Sequence, residues 1–111
     1  MLSCRRQGDP LMNTLTYTPK FALGDCYITP GIQAIIEQHQ YPINQLIARH
    51  HAGDWGDLCQ DDKKENDFAL KNNLRIFSSY LITLNNETMI KVWIITEADR
   101  SSTTVLLPSE Y

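Results

Sequence analysis

The sequence predicts an α+β fold, in which N-terminal helices pack on a C-terminal antiparallel β-meander of three to four strands. Residues 74–111 carry three apolar runs rich in β-branched residues, and two polar, turn-forming clusters separate these runs. Residues 30–72 instead repeat their apolar side chains at helical spacing. A length of 111 residues suits one domain. We place it at residues 21–111, after a flexible N-terminal extension over residues 1–20.

The helical part of the chain contains recognisable start and stop signals. Thr29 and Pro30 are typical of an N-cap followed by a first helical position. Gly53 is placed to end a later helix in the left-handed conformation, and Asp57 is a reasonable N-cap for the last helix. These signals predict a short strand over residues 23–28 and helices over 30–39, from Pro42 to Gly53, and over 59–72.

The three predicted strands alternate their side chains between two faces. In residues 74–84 the even-numbered side chains share one face and the odd-numbered side chains share the other. Residues 90–97 alternate in the same way, and a third strand over 102–107 ends at Pro108. Both faces are substantially apolar. The sheet is therefore either covered on both sides or keeps one face exposed for a partner.

The charge distribution bears on the kind of partner. The net charge is −3, and residues 57–67 alone account for it, because they carry five acidic residues against two lysines. A globally basic nucleic-acid binder is disfavoured, and a nucleic-acid partner would have to use a local basic patch. No apolar run approaches the ~20 residues that a membrane-spanning helix needs, so we expect no membrane partner.

Cysteine and histidine usage predicts neither disulfides nor a cofactor. Three cysteines lie far apart in the sequence without a paired motif, which indicates reduced thiols. No signal peptide is visible in the sequence, so we expect a cytoplasmic protein. His39, His50 and His51 do not supply the four ligands of a zinc site. We therefore expect no metal and no cofactor. Translation could start at Met1 or at Met12, and the sequence leaves this open.

Three features of the helical part are candidates for either structure or binding. His50 shares a helix face with Leu46 and Ile47, which is typical of a core-edge histidine bonded to backbone. Trp55 lies between two glycines in a tight loop, where it either anchors a corner or, with Asp54, contacts a ligand. Asn66 falls on the apolar face of the third helix. We expect its amide to bond to the backbone of the Gly53–Asp57 loop.

A second cluster of polar residues lies at the end of the predicted sheet that contains its second turn. Arg75 and Arg100 could flank a hydroxyl-rich surface there, suited to phosphate, with Thr103 or Thr104 positioning the ligand. The alternative is an ordinary hairpin turn. In that case Asp99 bonds to backbone and Arg100 pairs with Glu97.

From His50 onward the chain resembles small proteins of bacterial plasmids, phages and integrated elements, of the type called plasmid-related proteins. The resemblance covers residues 25–111 and implies a mobile-element setting without a defined activity. It rests on Arg49-His50, Gly53-Asp54-Trp55-Gly56, Asn66, Ala69-Leu70, Arg75, Ser78, Tyr80, the run from Trp93 to Ser101, Thr103-Thr104, Leu106-Leu107-Pro108 and Glu110-Tyr111. At the level of the fold, the predicted helices and meander are also similar to the RelE, barnase and colicin-type ribonucleases, which cut RNA without metal by activating the 2′-OH.

Two functions follow as hypotheses. The first is a protein-binding regulator, such as a counter-defence protein or an inhibitor, which contacts a host or phage protein partner. Its candidate binding residues are Asp54, Trp55, Asp61, Asp62, Glu65, Glu97 and Asp99. The alternative is a metal-independent ribonuclease, in which His50 acts as general acid and base. Arg75 and Arg100 would then hold the phosphate, and Thr103 or Thr104 would position it. This alternative requires His50 and Arg75 to meet in one open pocket.

Overall fold

The computed structural model describes Arg5–Arg6 and residues 17–111 of the chain. Over these residues the fold is α+β, with three α-helices and a mixed sheet. The strands are β1 (Arg5–Arg6), β2 (Asp25–Ile28), β3 (Ile76–Thr83), β4 (Met89–Thr96) and β5 (Ser102–Leu106). The helices are α1 (Pro30–His39), α2 (Ile43–His51) and α3 (Gln60–Asn72), and a 3₁₀ turn spans Pro108–Glu110.

The C-terminal meander is confirmed, but the sheet is mixed. Strands β3, β4 and β5 pair antiparallel in sequence order. Strand β2 then joins β5 in parallel, which the prediction of an antiparallel sheet did not include. A parallel pair needs a long crossover between its strands. Here all three helices and two strands lie between β2 and β5, so no local sequence pattern indicates that these two strands pair.

The first twenty residues were predicted to form a flexible extension, and most of them lie outside the described residues. Within this segment, Arg5–Arg6 form β1, which pairs antiparallel with the Tyr27–Ile28 end of β2. Tyr17 also reaches the domain, because its hydroxyl bonds to His51 Nδ1 at 3.0 Å. Lys20 N donates to the carbonyl oxygen of His51 at 2.9 Å. These described parts are therefore attached to the domain.

One face of the sheet carries the main core. The even-numbered side chains of β3 and β4 point to this face, and α1 and α2 pack on it. Its fully buried members include Ile32, Ile47, Tyr80, Val92 and Ile94. Helix α1 ends in a left-handed Gln40, and Gly53 with φ +87° follows α2 closely, as the sequence predicted for that glycine.

The N-terminus of α1 is fixed by the other end of the chain. The Thr29 hydroxyl donates to Glu110 Oε1, and Gly31 N donates to Glu110 Oε2 at 2.8 Å. Leu107 N also donates to this carboxylate. Partial burial raises the pKa of Glu110, but these three hydrogen bonds together lower it below its usual value. A carboxylate at a helix N-terminus is also favoured by the helix dipole.

Helix α3 lies along the free edge of β3 rather than over the sheet. The Asn66 side chain bonds to β3 at Phe77: its Oδ1 accepts from Phe77 N at 3.1 Å, and its Nδ2 donates to Phe77 O. The prediction that Asn66 is buried and bonded to backbone is confirmed, but the predicted partner was wrong. The helix starts after Cys59, so the assignment of Asp57 as N-cap was also wrong. The Asp57 carboxylate instead accepts from Leu81 N at 2.6 Å.

The loop Gly53–Asp57, which we call the corner, also bonds to this edge of β3. Asp57 N donates to Ser79 O at 2.7 Å, and Ser79 N donates to Trp55 O at 3.3 Å. The two chains touch so closely that a Cβ on Gly56, which has φ +75°, would lie 2.1 Å from Ser79 O. Only glycine fits there. The outward-facing N–H and carbonyl groups of Phe77 and Ser79 and the N–H of Leu81 are thus bonded, which hinders another strand from adding to this stretch of the edge.

Candidate binding surface

The second face of the sheet carries large apolar side chains that α1 and α2 do not cover. Leu81, Met89 and Tyr111 are 51%, 58% and 68% exposed, while Phe77 and Trp93 are half-buried. We call this surface the open face. Its side chains are those of Arg75, Phe77, Leu81, Met89, Lys91, Trp93 and Ile95 from β3, β4 and the residue before β3, together with Tyr111.

A groove of about 280 Å³ lies in the open face, and we call it the aromatic groove. It is lined by Arg75, Phe77, Trp93, Ile95 and Tyr111. The Trp93 ring meets Phe77 at a centroid distance of 5.0 Å and Tyr111 at 5.9 Å, with interplanar angles of 85° and 72°. Edge-to-face contacts of this kind are favourable between aromatic rings. They hold the three rings in one arrangement before any ligand binds.

Arg75 closes one end of the aromatic groove. Its Nη1 donates to the Tyr111 hydroxyl at 2.7 Å, and its guanidinium lies 5.4 Å from the centre of the Tyr111 ring. Its Nε is 3.7 Å from Glu97 Oε2. Both side chains of this ion pair are nearly half exposed, so the pair itself contributes little stability. It does orient the arginine beside the rings.

A second groove, of about 240 Å³, runs between α3 and the start of β3, and we call it the acidic groove. Its lining residues are Asp62, Glu65, Asn66, Ala69, Leu74, Arg75 and Phe77. Ala69 and Phe77 give it an apolar floor, and the exposed Asp62 and Glu65 form its rim. Two of its residues, Arg75 and Phe77, also line the aromatic groove. The two grooves therefore adjoin each other at these two residues.

His50 lies on the other face, inside the core, and is fully buried. Thr103 Oγ1 donates to the carbonyl oxygen of Leu23 at 2.7 Å, so it must accept from Thr96 Oγ1, also at 2.7 Å. Thr96 Oγ1 in turn accepts from His50 Nε2 at 2.8 Å. His50 Nδ1 is then unprotonated and accepts from the Ser78 hydroxyl. The network fixes the Nε2–H tautomer.

The surroundings of His50 also fix its charge. Burial is the main cause that lowers its pKa from 6.5 to about 3, and the nearby charges of His51 and Arg100 contribute to the same shift. The histidine is therefore neutral at physiological pH. It was expected to bond to backbone, but its partners are hydroxyl side chains on β3 and β4.

The ribonuclease geometry predicted from the sequence is not present. Arg75 lies on the open face, while His50 bonds to Ser78 and Thr96 on the helix-covered face. The sheet thus separates the two residues, and the prediction that they meet in one pocket is wrong. Thr103 is buried in the His50 network, whereas Thr104 points to the open face, opposite Ile95.

Arg100 stabilises the fold by hydrogen bonds to four backbone carbonyl groups. Its guanidinium donates to the backbone oxygens of Leu74 at 2.6 Å, Glu97 at 3.1 Å, and Ala98 and Ala69 at 3.2 Å. It therefore ties the C-terminal turn of α3 to the β4–β5 hairpin. The alternative of a structural turn is supported, although Arg100 bonds to the backbone of Glu97 and the Glu97 carboxylate pairs with Arg75.

The corner residues are also structural. Trp55 is 5% exposed and packs with Ala69 and Ile76, so the ring is a core element and is not available to a ligand. Asp54 is exposed, but its carboxylate accepts from Arg49 Nε at 2.7 Å and from Gly56 N at 3.0 Å. The hydrogen bond from Arg49 is the main reason that the pKa of Asp54 is lowered, and partial burial opposes it.

The remaining predicted binding residues separate into two groups. Asp61, Asp62 and Glu65 are all exposed on α3, and the last two line the acidic groove. Asp99 accepts from Ser101 N at 3.0 Å within its own turn. Hydrogen bonds from the side chain and then the backbone of Ser101 lower the pKa of Asp99. Asp99 therefore has a turn-forming role, as the alternative interpretation expected.

The sequence interpretation did not include the aromatic residues of the open face among the candidate binding residues. Phe77 and Trp93 were assigned to the correct face, opposite the even-numbered side chains. The sequence did contain a signal for them, because Phe77 and Trp93 place large aromatic side chains on the same face of the predicted sheet. The helical segment is too short to cover this face in addition to the other one. Tyr111 gave no such signal, because it lies outside the strands.

Comparison with known proteins assigns no family. No protein-family model matches the chain, and no curated protein or solved structure is significantly similar to it. The resemblance to plasmid-related proteins therefore stays a prediction. Within the described residues, no helix is long and apolar enough to cross a membrane, and no group of three or more histidine, cysteine, aspartate or glutamate side chains is arranged to hold a metal ion.

Proposed function

We propose that this chain is a protein-binding module, which docks a partner protein on its open face. The observation that carries the proposal is the preformed aromatic groove of Phe77, Trp93 and Tyr111, whose apolar side chains stay accessible to solvent. Large accessible apolar patches on a folded domain mark interaction sites. Tryptophan, tyrosine and arginine are also the residues that dominate binding energy at protein interfaces.

The size of the grooves favours a protein over a small molecule. Volumes of about 280 and 240 Å³ lie below the ~300–1,000 Å³ that is usual for small-molecule sites. Both grooves are open to solvent along the sheet, so they suit single side chains that project from a larger surface. The bonded edge of β3 hinders strand addition there, and docking would use the face.

The biological setting of the proposal is supported by the sequence resemblance alone. Related mobile-element proteins would place the chain in the bacterial cytoplasm, as a counter-defence protein or a regulatory inhibitor of a host or phage protein. The predicted reduced cysteines agree with this location. Binding on the open face would act by covering a functional surface of the partner.

The proposal is tested by comparing three baits in a bacterial lysate: the wild-type chain, Trp93→Ala, and the control Gln38→Ala, which alters an exposed residue of α1. A partner should be recovered with the wild type and the control and lost with Trp93→Ala. The candidate is then purified, and its affinity should fall by about tenfold or more for Trp93→Ala, which corresponds to ~1.4 kcal/mol. Thermal melting of each bait establishes that it is folded.

Three outcomes would overturn the proposal. The first is equal affinity of the purified partner for all three chains. The second is recovery that disappears after nuclease treatment, since this would assign the face to nucleic acid. The third is a dimer of the chain, seen by sedimentation, that Trp93→Ala dissociates, because the open face would then serve self-association.

A further inference from the structure

The two grooves adjoin each other and offer two different chemistries. Arg75 and Phe77 line both of them, so a single segment lying across the start of β3 would reach the aromatic groove and the acidic groove together. The aromatic groove offers three rings and Ile95. It therefore accepts an apolar side chain.

The acidic groove offers negative charge beside apolar surface. Asp62 and Glu65 lie three residues apart on α3, so their side chains are neighbours on the helix. Neither carboxylate has a hydrogen bond or an ion pair with any residue in the range 17–111. Beneath them, Leu74 is 46% exposed next to Ala69 and Phe77. A long aliphatic side chain with a cationic end matches this combination, because its stem covers the apolar floor while its charge meets the carboxylates.

The cation already present does not fill this role. The Arg75 guanidinium is directed to the Tyr111 hydroxyl and ring and to Glu97, all on the side of the aromatic groove. Asp62 and Glu65 are thus left for a charge from outside. Residues 57–67 carry the whole net charge of the chain, which would also attract a cationic partner from a distance.

We propose that the partner presents a cationic–apolar segment, with a large apolar side chain in the aromatic groove and a neighbouring lysine or arginine side chain in the acidic groove. This inference rests on the proposed function and names the chemistry of its partner. Nucleic acid fits the same surface poorly, since the carboxylates would repel phosphates. The edge-to-face rings also present no parallel set of faces on which successive bases could stack.

The inference is tested by selecting peptides of about 12 random residues, displayed on phage, against the purified chain. The key variant is Asp62→Lys/Glu65→Lys. Its control, Glu37→Lys/Glu87→Lys, changes the net charge equally at two exposed residues that line neither groove. Trp93→Ala is selected in parallel. A synthetic copy of the best wild-type peptide, and an analogue with neutral residues in place of its lysines and arginines, are then titrated against every chain.

The wild type and the control should both enrich peptides in which lysine or arginine lies close to a large apolar residue. The Asp62→Lys/Glu65→Lys chain should bind the synthetic peptide at least about tenfold more weakly, while the neutral analogue should bind all charge variants alike. Raising the salt from about 50 mM to about 300 mM should weaken only the cationic peptide. Trp93→Ala should reduce the binding of both peptides.

The two proposals fail in different ways. If the selected peptides lack basic residues, or if Asp62→Lys/Glu65→Lys binds them as the control does, the cationic–apolar partner is wrong while docking on the open face stands. If Trp93→Ala yields the same peptides with the same affinity, or if no chain enriches any peptide above background, docking on the open face is wrong and the inference falls with it.

Discussion

The His50 imidazole is held neutral inside the core, and this creates a pH dependence for the whole fold. In the folded chain its pKa is lowered from 6.5 to about 3 by burial and by nearby positive charge. Below about pH 6.5 the His50 imidazole therefore takes up a proton in the unfolded chain but not in the folded chain. Stability contributed by the neutral form is complete above that pH and is lost progressively as the pH falls toward 3.

We therefore predict that the free energy of unfolding falls by about 2 kcal/mol between about pH 7.5 and about pH 5. Urea denaturation at a series of pH values measures this. Gln38→Ala, at an exposed position of α1, should keep the slope, and His50→Gln should flatten it. Nitrogen NMR of the wild type should show His50 as the neutral Nε2–H tautomer at about pH 5. An imidazolium signal at that pH would contradict both the network and the prediction.

The two tryptophans differ in burial and therefore in what they contribute. Trp55 is 5% exposed among Phe21, Ala69 and Ile76, while Trp93 is half-buried at the open face. Trp55→Ala should cost roughly 3–5 kcal/mol, as for other buried large-to-small changes, and Trp93→Ala should cost clearly less. Urea denaturation compares the two variants directly. Equal losses would mean that the ring of Trp93 is as much a core residue as Trp55.

Among the secondary-structure elements, the start of the β3 edge is closed by a single side chain of α3. Asn66 bonds to both backbone groups of Phe77, in the manner of a neighbouring strand. Asn66→Leu would leave both groups without partners, which costs on the order of 1–3 kcal/mol despite the added apolar surface. It would also open a strand edge to pairing with other chains.

The two effects of Asn66→Leu are measured by urea denaturation, which reports stability, and by light scattering at increasing protein concentration, which reports association. Asn66→Leu should be less stable than the wild type and should associate at lower concentration. Asn72→Ala is the matched control, because the Asn72 amide is exposed and donates to Phe68 O within α3 itself. Similar scattering from both variants would show that the edge is protected without Asn66.

The helices and strands themselves could be predicted because their signals are local. The N-terminal signal at Pro30 and the alternation through β3 and β4 gave the correct elements and the correct faces. The parallel pairing of β2 with β5 could not be predicted, since it joins residues more than 70 positions apart. The partner of Asn66 was missed for a similar reason. Periodicity showed that the amide is buried but not which of two neighbouring backbones it reaches.

The candidate site was harder to predict than the fold. Asp62 and Glu65 were selected by charge, and they do line the acidic groove. His50 and Arg75 were joined by an assumption about which ends and faces meet, and the sheet separates them. Residue type alone does not distinguish an arginine that binds four carbonyl groups, such as Arg100, from one that is free to hold a ligand.

In the whole molecule, two apolar clusters are joined by shared contacts. The larger cluster lies between α1, α2 and the sheet, and the smaller one contains Trp55, Ala69 and Ile76. Phe21 packs against both of them, and its ring lies 5.2 Å from that of His50. The ring of His50 in turn lies 5.9 Å from that of Trp55. Neither cluster can therefore lose its packing without disturbing the other.

We accordingly predict that the described domain unfolds in one cooperative step, as small single domains usually do. Trp93→Phe leaves Trp55 as the remaining tryptophan, so its fluorescence reports the smaller cluster, while circular dichroism near 222 nm reports all the helices. The two urea transitions should have the same midpoint, because Phe21 and His50 couple the clusters. A fluorescence transition that comes first would show the smaller cluster, with α3 and the corner, opening as a separate unit. In that case the edge of β3 would be exposed before the rest of the domain unfolds, since Asn66 and the corner backbone leave with that unit.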